Sequence, residues 1–352
     1  MIPDSLRPRR VYETQNGVQL QGDSRELLAG LDHESVDLIV TSPPFALLRK
    51  KAYGNEDQED YVDWLVEFGR AALPVLKDTG SLVIDLGGAY QRGRPVRSLY
   101  QFRVLLSFCD VLGYRLAEEF YWHNPAKLPS PIEWVNKRKI RTKDSVNTVW
   151  WLSKSDWPKA DVRRVLAPYS ERMKKLIRDP ESFFRAKDRP SGHDVSMSFG
   201  RDNGGAIPSN LLWHPNTESN SHYLRMCKAI NRQGHPARFP SEIPSFFIKF
   251  LTDENDVVLD IFSGSNTTGK AAEDLGRRWI AMEERMDYAA LSAVRFLSEK
   301  SAADTEELVA AMEDGSPCVL DTGASPAHGV TRGAAGGEGL KTTRGEPSPP
   351  RG

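Results

Sequence analysis

Val257-Val258-Leu259-Asp260-Ile261-Phe262-Ser263-Gly264-Ser265-Asn266-Thr267-Thr268-Gly269 is a short apolar run that ends in a carboxylate and passes into a turn of small residues. A helical stretch, Lys270 to Leu275, comes next, and then a second apolar run, Trp279-Ile280-Ala281-Met282, closing at Glu283. Strand, tight turn, helix, and strand with a terminal carboxylate make half of a nucleotide-binding α/β sheet. The dinucleotide fingerprint G-x-G-x-x-G is missing, because only Gly264 and Gly269 remain and Asp260 stands where a pyrophosphate would be repelled. The motif therefore predicts a site for a nucleoside carrying positive charge instead of phosphates. Glu283 would accept from ribose hydroxyls, and Asp260 would favour an amino-acid end and a sulfonium, the features of S-adenosylmethionine.

Far upstream, Val36-Asp37-Leu38-Ile39-Val40 reads as a buried strand running into Thr41-Ser42-Pro43-Pro44-Phe45. The two prolines must end the strand, since proline donates no ladder hydrogen bond and restricts the residue before it. One sheet edge thus receives a hydroxyl, a rigid extended dipeptide and an aromatic ring. That set suits a planar amine: Ser42 and the Pro43 carbonyl accept its hydrogens while Phe45 stacks on its face. Alone, the pentapeptide reads more readily as an ordinary strand-ending turn; the downstream motif gives it its weight. In a doubly wound sheet, ligands bind at the carboxyl ends of strands where the strand order reverses. The strands ending at Val40 and Asp260 must then be neighbours, although about 220 residues separate them, because methyl donor and amine must touch.

These motifs are similar to those of amino-group DNA methyltransferases of the permuted order, in which the catalytic motif precedes the cofactor motif. Residues 20–300 resemble N4-cytosine modification enzymes of the PvuII type. The shared stretches include Thr41-Ser-Pro-Pro-Phe-Ala46, Asp85-Leu-Gly-Gly-Ala-Tyr90, Leu128-Pro-Ser-Pro-Ile-Glu-Trp-Val-Asn-Lys-Arg-Lys-Ile140 and Val146-Asn-Thr-Val-Trp-Trp151. Arg189-Pro-Ser-Gly-His-Asp194, His235-Pro-Ala-Arg-Phe-Pro240 and Asp260-Ile-Phe-Ser-Gly-Ser-Asn-Thr-Thr268 complete the match. The resemblance implies an α/β, Rossmann-like S-adenosylmethionine-dependent methyltransferase sheet with circularly permuted motif order and a loop-rich target-recognition insert. It implies catalysis at Ser42, Pro43, Pro44 and Phe45. It places the cofactor against Asp23, Thr41, Asp260, Phe262, Gly264, Ser265, Asn266, Thr267 and Glu283. In the wider family the cofactor loop commonly reads D-P-F-x-G-x-G, whereas this chain has Ile261 and Asn266.

The expected chemistry is direct transfer to a cytosine N4 amine flipped out of duplex DNA, with Phe45 as the stacking platform. Related enzymes acting on adenine N6 usually carry Asp or Asn before Pro-Pro, so Ser42 resembles the cytosine N4 group. A C5-cytosine mechanism needs a Pro-Cys nucleophile; the sole Pro-Cys here, Pro317-Cys318, lies near the chain end. Three alternatives stay open: an N6-adenine enzyme, a methyltransferase acting on RNA or a protein amide, and a DNA-binding protein that keeps the fold without catalysis.

The net charge of −1 conceals a basic middle. Residues 121–205 carry 18 Lys and Arg against 10 Asp and Glu, while every other segment has an acidic excess. A cationic segment between two halves of a catalytic domain suits a phosphate backbone. The DNA-contact candidates are Lys50, Lys127, Lys137, Arg138, Lys139 and Arg141, with His193 and Arg201 as reaches toward base edges. Cys109, Cys227 and Cys318 are scattered, which argues against a disulfide framework, and no histidine spacing suits a metal. No apolar run approaches the ~20 residues of a membrane helix. These features predict a bacterial cytoplasmic enzyme bound to DNA, monomeric or weakly dimeric, with a restriction endonuclease as an open functional counterpart.

Four segments are expected: a catalytic half over 1–154, a target-recognition insert over 155–234, a cofactor half over 235–300, and a mostly disordered tail over 301–352. Helices are expected over Arg25–Leu31, 58–76, Gln101–Leu112 and Ile243–Leu251, and strands over Gly80–Asp85, Leu116–Trp122 and Thr148–Leu152. For Asp23 two readings stay open: the resemblance implies contact with the adenine side of the cofactor, and the local sequence a plain cap of the first helix.

Overall fold

The computed structural model describes residues 2–46, 60–180, 200–217 and 220–321. Its strands are β1 (Arg10–Glu13), β2 (Gly17–Gln21), β3 (Val36–Thr41), β4 (Leu76–Gly87), β5 (Arg115–His123), β6 (Val146–Ser153), β7 (Leu211–Trp213), β8 (Val257–Asp260), β9 (Arg278–Glu283) and β10 (Cys318–Val319). The helices are α1 (Ser24–Ala29), α2 (Tyr61–Ala72), α3 (Tyr100–Leu106), α4 (Glu171–Arg178), α5 (His222–Ala229), α6 (Glu242–Leu251), α7 (Thr267–Asp274), α8 (Met286–Ser292) and α9 (Ala302–Glu313).

Among the described residues the strands form one sheet in the order β10-β1-β2-β9-β8-β3-β4-β6-β5-β7. The five strands from β2 to β4 in that order are mutually parallel. β6 lies antiparallel between β4 and β5. From β8 the chain continues outward to β9, and from β3 it continues the opposite way to β4, so the strand order reverses between β3 and β8. These two pair directly, Leu38 with Val258 and Ile39 with Leu259, as the sequence demanded.

All six residues of β3 are buried, because helices cover both faces of the sheet. Leu38 and Val40 join a core with Phe247, Ile248, Ala271 and Ala289 on one side. Ile39 joins another with Leu27, Leu28, Leu65 and Tyr100 on the other. The apolar spacing of α2, Tyr61, Leu65, Phe68 and Ala72, presents one face to that second core. Gly69 lets the neighbouring segment approach: a Cβ there would stand 2.5 Å from the Phe108 ring.

Two expectations need correction. Residues 302–313 of the supposed tail form α9, with Val309 and Met312 buried, and β10 pairs in parallel with β1. Ser301 caps that helix by accepting from the Asp304 N–H at 3.2 Å. The low-complexity composition begins only at Gly315, so it could not unfold the helix before it; residues 322–352 lie outside the described part. The stretch 155–234 is also less loop-like at its end. β7 pairs with β5, and Tyr223, Cys227 and Ile230 enter the first core.

Candidate active site

β3 delivers Thr41 and Ser42 to the carboxyl edge, where Pro43 and Pro44 stop the ladder. Ser42 Oγ–H donates to Asp85 Oδ2 at 3.1 Å. Asp85 also accepts from Asn147 Nδ2, at 3.1 Å to Oδ1 and 3.4 Å to Oδ2. Asp85 rises on β4 and Asn147 on β6, so three adjacent strands build this chain of donors. Burial pushes the Asp85 carboxyl up to about 6, against the lowering effect of Asn147, Ser42 and the more distant Lys127 charge. Phe45 lies over Gly87, where an added Cβ would meet its ring at 2.4 Å.

On the other side of the switch point, β8 ends at Asp260 and the chain turns through Gly264, whose φ is +50°. An added Cβ there would stand 3.0 Å from the His235 imidazole. Asn266, at φ +53°, caps α7 by accepting from the Gly269 N–H at 2.9 Å. Glu283 at the end of β9 accepts from the Gly264 N–H at 2.9 Å and the Arg285 N–H at 3.1 Å. Burial still raises Glu283 to about 7, with the charges of Asp260 and Glu284 adding to it. Phe262 packs against the rings of Phe68 and Trp64, with centroids 4.7 and 5.6 Å away.

Both motifs open into one cavity of about 580 Å³. Ser42, Pro43, Pro44 and Phe45 line it together with Asp23, Phe262, Gly264, Ser265, Thr267 and Glu283. Asp23, besides lining the cavity, caps α1 by accepting from the Arg25 N–H at 2.9 Å. Three expected cofactor contacts lie behind the wall instead. Thr41 Oγ1 donates to Asp260 Oδ1 and Thr268 Oγ1 to Asp260 Oδ2, both at 2.7 Å, and Phe262 N–H adds a third bond at 3.1 Å. Asp260 is 2% exposed and its pKa is raised to about 6 by burial. It therefore bolts the catalytic strand to the cofactor turn. Asn266 is fully buried and donates to the Tyr12 hydroxyl at 3.0 Å.

Of the DNA-contact candidates, Lys127 lines the cavity. Lys137, Arg138, Lys139 and Arg141 are exposed on the β5–β6 connection, and Arg201 is exposed elsewhere. Glu133 pairs with Lys137 at 3.3 Å and Arg138 at 2.9 Å, and Arg141 donates to the Pro95 carbonyl at 2.7 Å. Lys50 and His193 lie outside the described residues. The site also contains residues to which the sequence had assigned no role: Asp85, Asn147, His235 and Arg238. Asp85 carried a readable signal, being a third carboxylate closing an apolar run, as Asp260 and Glu283 do. His235 is kept neutral, its pKa pulled down to about 4 by burial. Arg238 donates to the His235 carbonyl, while its buried Nε has no hydrogen-bond partner among the described residues.

A family model described as a DNA methylase, of the N6/N4 methyltransferase type, matches residues 36–294. The type II methyltransferase M.PvuII of Proteus hauseri is 58% identical over 286 residues, which is 81% of this chain and 85% of the relative. The type II methyltransferase M.BglI of Bacillus subtilis is 28% identical over 294 residues, covering 77% of this chain and 83% of its own. A solved structure of the PvuII DNA methyltransferase, cytosine-N4-specific, superposes with a TM-score of 0.74 at 46% identity, covering 89% of this chain and 98% of that one.

Proposed function

The chain belongs to the N6/N4 DNA methylase family, and from that premise we propose that it methylates the N4 amine of cytosine in DNA, with S-adenosylmethionine as donor, as the modification half of a restriction–modification pair. The close relationship to M.PvuII and its cytosine-N4-specific structure supports the choice of base. The observation that carries the reading is the single cavity shared by Ser42-Pro-Pro-Phe45 and by Gly264 and Glu283.

The lining fits the cofactor. Glu283 retains acceptor capacity for two ribose hydroxyls. Phe262, braced by Trp64 and Phe68, offers a face to the adenine. The orphaned Arg238 Nε has the charge and reach class for a carboxylate. Buried Asp260 lies beneath the same turn and favours positive charge above it. When bound, the cofactor supplies an electrophilic sulfonium methyl.

The chain's own groups prepare the amine. Because the Ser42 hydroxyl hydrogen is committed to Asp85, its lone pairs are left for an N4 hydrogen. The Pro43 carbonyl takes the other. Two acceptors in those positions draw the nitrogen toward a pyramidal shape and expose its lone pair. As the nitrogen becomes cationic, its proton moves to Ser42 Oγ while the Ser42 hydroxyl proton moves to Asp85 Oδ2. A carboxyl with a pKa of about 6 is ionised and ready at pH 7–8. Lys127, lining the same cavity, meets a phosphate beside the flipped base. Residues 155–234 serve as the target-recognition segment, in the bacterial cytoplasm where a paired nuclease would act.

The test is incubation with unmethylated DNA and labelled S-adenosylmethionine, followed by digestion and mass spectrometry of the nucleosides. N4-methylcytosine is the expected product. N6-methyladenine would overturn the assignment of Ser42 and leave the cofactor site standing.

A further inference from the structure

β5 ends and β6 begins at the carboxyl edge of the sheet, so the connection between them, residues 124–145, overhangs the cavity mouth. It carries six Lys and Arg against two Asp and Glu. Its first turn is held in place by its own hydrogen bonds. The Ala126 N–H donates to Asn124 Oδ1 at 3.1 Å. Lys143 Nζ reaches back to the carbonyls of Pro125 at 3.1 Å and Lys127 at 3.3 Å. Asn136 Nδ2 donates to the Pro129 carbonyl at 3.3 Å. The backbone on both sides of Leu128 is therefore pinned, and Lys127 beside it lines the cavity.

Yet the Leu128 side chain is 79% exposed. An apolar side chain held out in water on a braced turn, inside a cationic field, is complementary to stacked bases flanked by phosphates. Trp213, another exposed apolar side chain near this edge, already lies against His123 with ring centroids 4.1 Å apart. Ile132 is 61% exposed but stands five residues beyond the cavity-lining lysine. We propose that Leu128 enters the duplex at the target cytosine and fills the space the flipped base leaves, holding that base in the cavity. This rests on the proposed cytosine-N4 activity. Leu128 is thus a positioning residue, acting on the equilibrium between stacked and flipped cytosine and not on the reacting atoms.

The test compares Leu128→Ala and Leu128→Met with the wild type on two duplexes carrying the mapped target. In one the target cytosine is paired with guanine; in the other it faces an abasic site. For Leu128→Ala, kcat/KM on the paired duplex is expected to fall roughly 10–100-fold, and by less than about threefold on the abasic duplex, where no pairing opposes extrusion. Leu128→Met should stay close to wild type, and S-adenosylmethionine affinity should be unchanged in both variants. The fluorescence rise of 2-aminopurine at the target position should appear with the wild type and be lost with Leu128→Ala. An equal loss on both duplexes, or no loss on either, overturns the wedge. If the wild type leaves N4 unmodified in both duplexes while still binding the cofactor, the underlying activity fails, and the wedge with it.

Discussion

Asp85→Asn separates what this carboxylate costs the fold from what it does for the reaction. Burial moves its pKa from 3.8 to about 6, so within that window the folded chain holds a proton that the unfolded chain has released. A raised value of this kind contributes stability that is complete below about pH 4 and lost as the pH climbs through about 6. A shift of about 2 units corresponds to roughly 3 kcal/mol. The amide of the variant cannot ionise, so it escapes that loss. Its NH2 group, however, brings a second buried N–H that the acid lacks and that the site leaves unpaired, which costs roughly 1–3 kcal/mol at every pH. The variant should therefore unfold more easily than the wild type at pH 4 and gain about 3 kcal/mol on it by pH 7, reaching parity or better. Urea unfolding of both proteins at half-unit steps across that range measures the difference directly. Methyl transfer by the same variant should drop roughly 100-fold or more, because the proton acceptor behind Ser42 is gone. Parallel stability profiles for the two proteins would refute the assignment of the proton to Asp85, and undiminished turnover would remove it from the reaction.

Three further outcomes are expected. Ser42→Ala should cut turnover roughly 100-fold or more while leaving S-adenosylmethionine binding within about twofold; equal losses in both assays would reject the split between motifs. Wild-type affinity for the cofactor should weaken as the pH falls below about 7, since Glu283 must be ionised to accept from hydroxyls near a cation. Glu283→Gln should bind less tightly at pH 8 and show a flattened profile by calorimetry; an unchanged profile points to a different titrating group. Lys139→Ala should reduce the slope of log K against log salt for DNA binding by about 0.9 if that exposed lysine meets a phosphate, and an unaltered slope removes it from the interface.

The architecture was legible where one segment carried its own signal. Val36–Val40, interrupted only by Asp37, and Val257–Leu259 are apolar runs with terminators, and their required adjacency followed from the chemistry; the pairing of Leu38 with Val258 bears it out. Asp85 was different. It is followed by Leu86-Gly87-Gly88, which reads locally as a strand running into a turn. Its partners, Ser42 and Asn147, are 43 and 62 residues away, where no periodicity could link them. Thr41 and Asn266 belong to the two motifs read as binding sites, and motif membership does not say which side chains face outward. Their hydrogen bonds to Asp260 and Tyr12 decide that. The α9 error had a compositional origin, because glycine-rich sequence after Gly315 coloured the reading of Val309 and Met312, which are buried.

The order of the strands has a consequence for biosynthesis. β8 and β9 occupy the middle of the sheet, between β2 and β3, yet the ribosome makes β2 through β7 before either of them. Until Val257 emerges, β2 and β3 face each other across an empty slot with open edges, and Thr41 lacks the carboxylate that anchors it. A nascent or prematurely terminated chain thus presents Ser42-Pro-Pro-Phe45 with no floor beneath it and no donor site beside it. Both edges close only once the β8–α7–β9 segment, residues 257–283, occupies the gap between them.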